Sequence, residues 1–295
     1  MKILAAWILA LALCLPASAV PAAWHPVGQR VIAGLEHPES VALDTRRQVL
    51  YLSNFGPALK PTLRDGRGYI SKLSLEGQVL EERFLPGPGQ RLHKPKGLWV
   101  EDQRLWVTDI DSVWVFDLKS KRGRRLGLPG ARFANDLITR GQKLYVSDTA
   151  SGTIYLVTPA DFLDTTARVS KLLVRPGLGP NGLALTRRGR LLVAGFVQDG
   201  SGRIYEIGPQ GATALTPPLG QLDGLALMPD DTMLYTDWAG GGLYALKGKA
   251  SPRLLSGGFQ GPADFALVPR EGGKRYQAVV PDLVRGRLRF IILEP

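Results

Sequence analysis

The sequence predicts an all-β fold, a six-bladed β-propeller, and three observations carry that reading. Six short segments rhyme along the chain: Glu39-Ser-Val-Ala-Leu, Lys96-Gly-Leu-Trp-Val, Asn135-Asp-Leu-Ile-Thr, Asn181-Gly-Leu-Ala-Leu, Asp223-Gly-Leu-Ala-Leu and Ala263-Asp-Phe-Ala-Leu. Their first residues lie 57, 39, 46, 42 and 40 positions apart, the spacing of repeated four-stranded blades. Each rhyme is followed by turn residues and by short runs of alternating β-branched and aromatic residues, a strand pattern.

The elements follow in chain order. Met1-Lys2, the apolar run Ile3 to Leu15 and the triplet Ala17-Ser18-Ala19 read as a secretory signal peptide over residues 1–19. The rest, 20–295, is expected to be one exported propeller domain, periplasmic or secreted. The leader is too short to span a bilayer comfortably and no later run reaches spanning length, so no transmembrane segment is expected in the mature chain. Cys14 lies within the leader, but Leu13 before it is a poor match to a lipid-attachment site. It is the only cysteine, so cleavage leaves neither disulfide nor thiolate chemistry.

Residues 27–34 precede the first rhyme and own no blade. The six rhymes are the innermost strands. Second strands are expected over 49–54, 105–109, 144–148, 191–194, 234–237 and 276–282. Third strands are expected over 68–73, 112–116, 153–157, 203–207, 242–246 and 287–291. Weaker fourth strands fall at 78–84, 124–128, 169–174, 213–216 and 252–255. The sixth blade runs out of chain after its third strand, so 27–34 is expected to complete it and close the ring. Trp99, Trp106, Trp114, Tyr155, Tyr205, Tyr235 and Tyr244 recur on these strands and are assigned to packing between blades.

In a propeller the innermost strand leaves one face and the second strand returns to it. Heads of first strands and ends of second strands therefore share a rim. Glu39, Lys96, Asn135, Asn181 and Asp223 are expected at the channel mouth, with Asn54, Asp109, Asp148, Asp237 and Asp282 just outside. The chain contains three asparagines, and all three fall on this rim. Asn-Gly and Asp-Gly pairs singly make turns; four polar heads at equivalent positions argue for a site.

Two carboxylates and two amide oxygens facing one space invite a divalent cation, because uncompensated like charges repel. Calcium, which takes roughly six to eight oxygen ligands, is the first expectation; zinc, manganese and magnesium are the alternatives. His25, His37 and His93 show no ligand spacing. Lys96 admits two readings, a salt bridge to a rim carboxylate or an anchor for a substrate's carboxylate. Trp238, directly after Asp237, is a candidate wall for a substrate.

At Pro38-Glu39, Asn135-Asp136, Pro180-Asn181-Gly182 and Asp223-Gly224 the chain resembles the senescence marker protein/gluconolactonase (regucalcin-like) family. The resemblance implies a six-bladed propeller with a divalent metal, usually calcium, in the channel. It implies Glu39, Asn181 and Asp223 as metal ligands, Asn135 near metal and substrate, and Asp223 as general base. Family members that act on sugar lactones often carry an arginine two residues before the third-blade asparagine. Here Arg132 stands three before it, which leaves its approach to substrate open.

The expected function is metal-dependent hydrolysis of a lactone or similar ester. The rival is a non-catalytic propeller that binds a small ligand or an envelope protein at the same rim. Carbon–nitrogen condensation, as in strictosidine synthase-like propellers, ranks third, since no catalytic glutamate is located by motif. The formal charge of +11 is densest in Lys119-Ser-Lys-Arg-Gly-Arg-Arg125, a solvated flank loop or a contact for an anionic envelope surface. With no helical recognition motif, nucleic acid is not an expected partner.

Overall fold

The computed structural model describes residues 23–295; the signal-peptide reading falls on residues outside that range. Six four-stranded antiparallel sheets form the blades. The innermost strands are Pro38–Asp44, Pro95–Glu101, Ala134–Arg140, Pro180–Leu185, Leu222–Leu227 and Ala266–Arg270. The second strands are Val49–Asn54, Arg104–Asp109, Lys143–Asp148, Leu191–Gly195, Met233–Asp237 and Arg275–Asp282. Third and fourth strands follow where the pattern of alternation places them.

The ring closes through the N-terminus. His25–Ala33 pairs antiparallel with Arg287–Glu294 and becomes the outermost strand of the sixth blade. The outer edge of Arg287–Glu294 is thereby paired, and His25–Ala33 takes its place as the exposed outer strand. Trp24 locks the closure, its indole N–H donating to Asp230 Oδ1 at 3.1 Å.

The apolar core is divided into six parts, each lying between two neighbouring blades. Side chains on the two faces of every blade fill two of these cores, which is why the strands read as nearly continuous apolar runs. Trp99, Trp106, Trp114, Tyr155, Tyr205, Tyr235 and Tyr244 all pack in these inter-blade cores. Trp114 stacks on Phe116 and Tyr235 on Tyr244, both at 5.4 Å between ring centres.

The first two strands of each blade slip register by one residue just after the head. The ladder breaks between Pro38 and Val41, Pro95 and Leu98, Ala134 and Leu137, Pro180 and Leu183, and Leu222 and Leu225. In the sixth blade the isolated bridge Pro262–Asp282 precedes the Ala266–Val279 ladder with the same one-residue slip. Such bulges redirect side chains beside functional sites. Here each frees two or three consecutive residues from the ladder, and Glu39, Asn135, Asp136, Asn181, Asp223 and Asp264 among them face the channel. Gly182 and Gly224 lie in these bulges, not in turns. A Cβ on Gly182 would run into the Asp223 carbonyl of the next blade, and one on Gly97 would come within 2.6 Å of the Asn135 carbonyl.

Candidate functional site

In the first, third and fifth blades a hydroxyl on the second strand receives a backbone N–H that the bulge frees. Ser53 Oγ accepts from Ser40 N–H at 2.9 Å, Ser147 Oγ from Asp136 N–H at 2.9 Å, and Thr236 Oγ1 from Gly224 N–H at 2.8 Å. Hydroxyls at this position also donate forward to the head of the following blade. Thr108 donates to the Asn135 carbonyl, Ser147 to the Asn181 carbonyl at 2.8 Å, and Thr236 to the Ala263 carbonyl at 3.1 Å. The third-blade head, Asn135-Asp136, is thus held by hydrogen bonds from both sides.

Glu39, Asn135, Asn181 and Asp223 come together on one cavity of about 490 Å³. All four are buried, and each keeps an oxygen that finds no donor: Glu39 Oε2, Asn135 Oδ1, Asn181 Oδ1 and Asp223 Oδ1. Buried polar atoms in folded proteins are nearly always paired, so four unpaired acceptors on one space are a specific signal. The Asn135 orientation follows from its neighbours. Thr149 donates its hydroxyl proton to the Pro180 carbonyl at 2.9 Å and so accepts from Asn135 Nδ2 at 3.2 Å. The Asn135 oxygen is left bare.

Burial raises the Glu39 carboxyl well above the usual range; Asp223 raises it further, and Lys96 opposes. Burial, then the Asp264 charge, push Asp223 to about 8, while the Asn181 amide beside it acts the other way. Four acceptor oxygens and two formal charges out of water meet what a hard divalent cation needs. Among the described residues, no group of three or more His, Cys, Asp or Glu side chains is placed to hold an ion. A cation here would draw on amides as much as on carboxylates.

Lys96 is wholly buried, yet it makes no ion pair within 4.0 Å among the described residues. Its ammonium donates to the Pro61 and Lys94 carbonyls, both at 3.3 Å, and lies 4.4 Å from the centre of the Phe133 ring. Burial lowers its pKa; Glu39 is the first of the charges that raise it. The buried ion pair belongs to its neighbour: Lys94 Nζ meets Asp65 Oδ2 at 2.9 Å and the Phe55 carbonyl at 2.8 Å. Together the two lysines hold the long loop between Asn54 and Tyr69, which supplies Phe55 and Pro61 to the cavity.

Trp238 lines the cavity. Arg132 does not; it is exposed, and its guanidinium donates to the Ala150 carbonyl at 2.7 Å. The outer acids also lie off the cavity. Asp109 accepts from the His93 and Lys94 N–H groups, both at 2.8 Å, and Asp148 from Arg132, Phe133 and Ser151 N–H at 2.7, 2.9 and 2.7 Å. Asp237 accepts from Gln221 N–H and Asp282 from Gln260 N–H, both at 3.0 Å. Each anchors the loop that leads into the innermost strand of its own blade.

Two buried carboxylates escaped the sequence reading. Asp136 and Asp264 occupy the second bulge position and line the other stretch of the channel, a cavity of about 380 Å³ walled by apolar side chains such as Leu98 and Leu225. Asp136 accepts from Leu137 and Leu183 N–H, both at 2.6 Å, and Asp264 from the Ser40 hydroxyl at 2.7 Å. Burial raises both, Asp264 to about 6. Their signal was in the rhyme, where an acid replaces the glycine or serine of other blades.

No protein-family model matches the chain and no curated protein matches it. Solved structures do. A gluconolactonase from Xanthomonas campestris is 16% identical with a TM-score of 0.64, over 91% of each chain. A protein assigned as a gluconolactonase is 17% identical with a TM-score of 0.64, over 91% of this chain and 93% of that one. A virginiamycin B lyase from Staphylococcus aureus is 13% identical with a TM-score of 0.58, over 91% of this chain and 99% of that one. The likeness is one of fold.

The basic cluster of 119–125 is largely engaged: Lys121 pairs with Glu81, Arg122 with Asp164 and Arg125 with Asp111. Among the described residues, no helix is long and apolar enough to cross a membrane.

Proposed function

We propose that this protein is an exported hydrolase of a lactone or similar ester, with one divalent cation, calcium in the first instance, held by Glu39, Asn135, Asn181 and Asp223. The carrying observation is the set of four buried oxygens without donors on one cavity. A cation bound there supplies charge compensation and polarisation of a substrate carbonyl. The gluconolactonases among the structural neighbours support the reaction class.

The chain's own groups supply the rest. Asp223 is the carboxylate assigned in this proposal to accept the proton of an attacking water. Asn135, held by Thr149, presents a fixed oxygen at no cost of reorganisation. The apolar wall excludes bulk water and strengthens every charge interaction inside. A lyase reading has less support. The comparison lyase is described as catalytically inactive in a histidine-to-alanine form, and this cavity is lined by no histidine among the described residues.

Elemental analysis of protein purified without chelator is the first test, with about one divalent ion per chain expected. At a hundredfold excess over Kd the ion should stabilise the fold by about 2.7 kcal/mol, a gain that Asp223→Ala largely removes. Proton release from a lactone panel, with and without calcium, manganese or zinc, reads the reaction. An unchanged melting temperature with chelator and no co-purified ion would sink the metal; saturable binding without turnover would leave a binding module.

A further inference from the structure

Resting on the reading of this cavity as a lactone or ester site, we propose that its substrate presents an aromatic or branched apolar body rather than a polyhydroxylated one. The wall carries the inference. The residue directly after each second strand holds the same place in every blade, and five of these six line the cavity: Phe55, Thr149, Phe196, Trp238 and Leu283. Phe133 adds a further ring. Trp238 is held in place by Gly261, where a Cβ would come within 2.6 Å of the indole.

A sugar lactone desolvates several hydroxyls on entry, and each left without a partner weakens binding. This wall offers few partners. The Thr149 hydroxyl is already engaged with Pro180 and Asn135. The Arg132 guanidinium is turned to Ala150, and the Lys96 ammonium is covered by two carbonyls and the Phe133 face. Gln198 is the remaining side-chain amide above the floor. An apolar body loses nothing on such a wall and gains from stacking on it. Its carbonyl end would face the floor, where the cation proposed there would polarise it. A pocket of this volume accommodates a bicyclic lactone with room for substituents.

The test separates binding from turnover. Calorimetry with the metal-loaded protein uses 2-tetralone, the non-hydrolysable carbocyclic counterpart of dihydrocoumarin, and gluconolactam, the hydrolysis-resistant counterpart of gluconolactone that keeps its carbonyl. Tetralone is expected to bind and the sugar not to. Phe196→Ala and Leu283→Gln should each weaken tetralone roughly tenfold, the scale of lost contacts in an apolar pocket. Trp238→Phe, which keeps a ring, should weaken it less than Trp238→Ala. These positions lie on separate loops, so one variant that fails to fold leaves the others to decide. Tighter binding of the sugar, or no tetralone binding, overturns the proposal. Gluconolactone turnover without tetralone binding overturns it and keeps the hydrolase. Tetralone binding without turnover of dihydrocoumarin keeps it and removes the hydrolase.

Discussion

The inner ring of Glu39, Asn135, Asn181 and Asp223 and the outer ring of Asp109, Asp148, Asp237 and Asp282 use similar residue types at one end of one channel. Their surroundings differ chiefly in the supply of backbone donors, although Asp282 Oδ2 is also left without one. Outer carboxylates receive N–H groups from the loops they anchor, three of them at Asp148. Inner oxygens face one another across a cavity, where no loop reaches them. The outer ring is therefore expected to stabilise the fold outright, whereas the inner ring costs stability until something positive arrives. Like residues become scaffold or site according to who donates to them.

The largest effect expected from that contrast is at Asp148. Asp148→Ala leaves three loop N–H groups without an acceptor, at about 1–3 kcal/mol for each one kept from water. A loss of about 3 kcal/mol or more should appear as a lower denaturant midpoint with an unchanged slope. A loss below about 1 kcal/mol would mean that the outer ring is not scaffold.

Asp223→Asn should act with the opposite sign in metal-free protein. The folded-state pKa of about 8 lies above the unfolded value of 3.8, so the folded state holds more protons between these limits. Stability must then fall as pH rises from about 4 to about 8, and it is greatest on the acid side. The amide removes that slope. The variant is therefore expected to be more stable than wild type at pH 8 and little different from it at pH 4. Saturating calcium should reverse the order of the two proteins. Parallel pH profiles would show that the buried charge is compensated by some other means.

Much of this contrast was legible before the fold. The heads rhyme because each blade repeats one bulged strand start, and rare asparagines mark two of them. The bulge itself was not legible: a one-residue slip depends on partner strands, so Asp136 and Asp264 read as ordinary second positions. The wall was half visible. Trp238 was found by standing directly after a second strand, and the same rule extended to Phe55, Thr149 and Leu283 would have found three more; it misses Phe196 by one residue, because the expected strand 191–194 stops short of Gly195. The lysine-held loop was beyond reach, because no other blade repeats it and an ammonium's partners there are carbonyls, which every sequence has.

Lys96 tests the contrast from the side of charge. It opposes the rise of the Glu39 pKa, so it stands in weakly for the expected cation. Lys96→Met removes a competing positive charge worth on the order of 1 kcal/mol, and calcium should bind roughly fivefold more tightly. Metal-free stability should fall at neutral pH, since Glu39 loses its compensation and the Pro61 carbonyl its donor. Calorimetric titration reads the first and a melting curve the second. Weaker calcium binding would instead make the loop hold part of the site.

The smallest effect is expected at Arg132, and it bears on the same loop as the largest. That residue uses its two ends differently. Its backbone N–H donates to Asp148 at 2.7 Å, inside the outer ring, while its guanidinium lies in solvent against the Ala150 carbonyl. Arg132→Ala keeps the first and loses the second. An exposed hydrogen bond of this kind is worth little, so stability should move by less than about 0.5 kcal/mol. Calcium affinity should not move at all, because no oxygen of the inner ring meets this side chain. The Arg132 side chain does not line the cavity, although the Ala150 carbonyl that it meets belongs to a lining residue. Substrate KM is therefore the deciding readout. A rise of more than about threefold in Arg132→Ala, with stability unchanged, would place the guanidinium over the cavity mouth during turnover and extend the inner ring's polar reach by one residue.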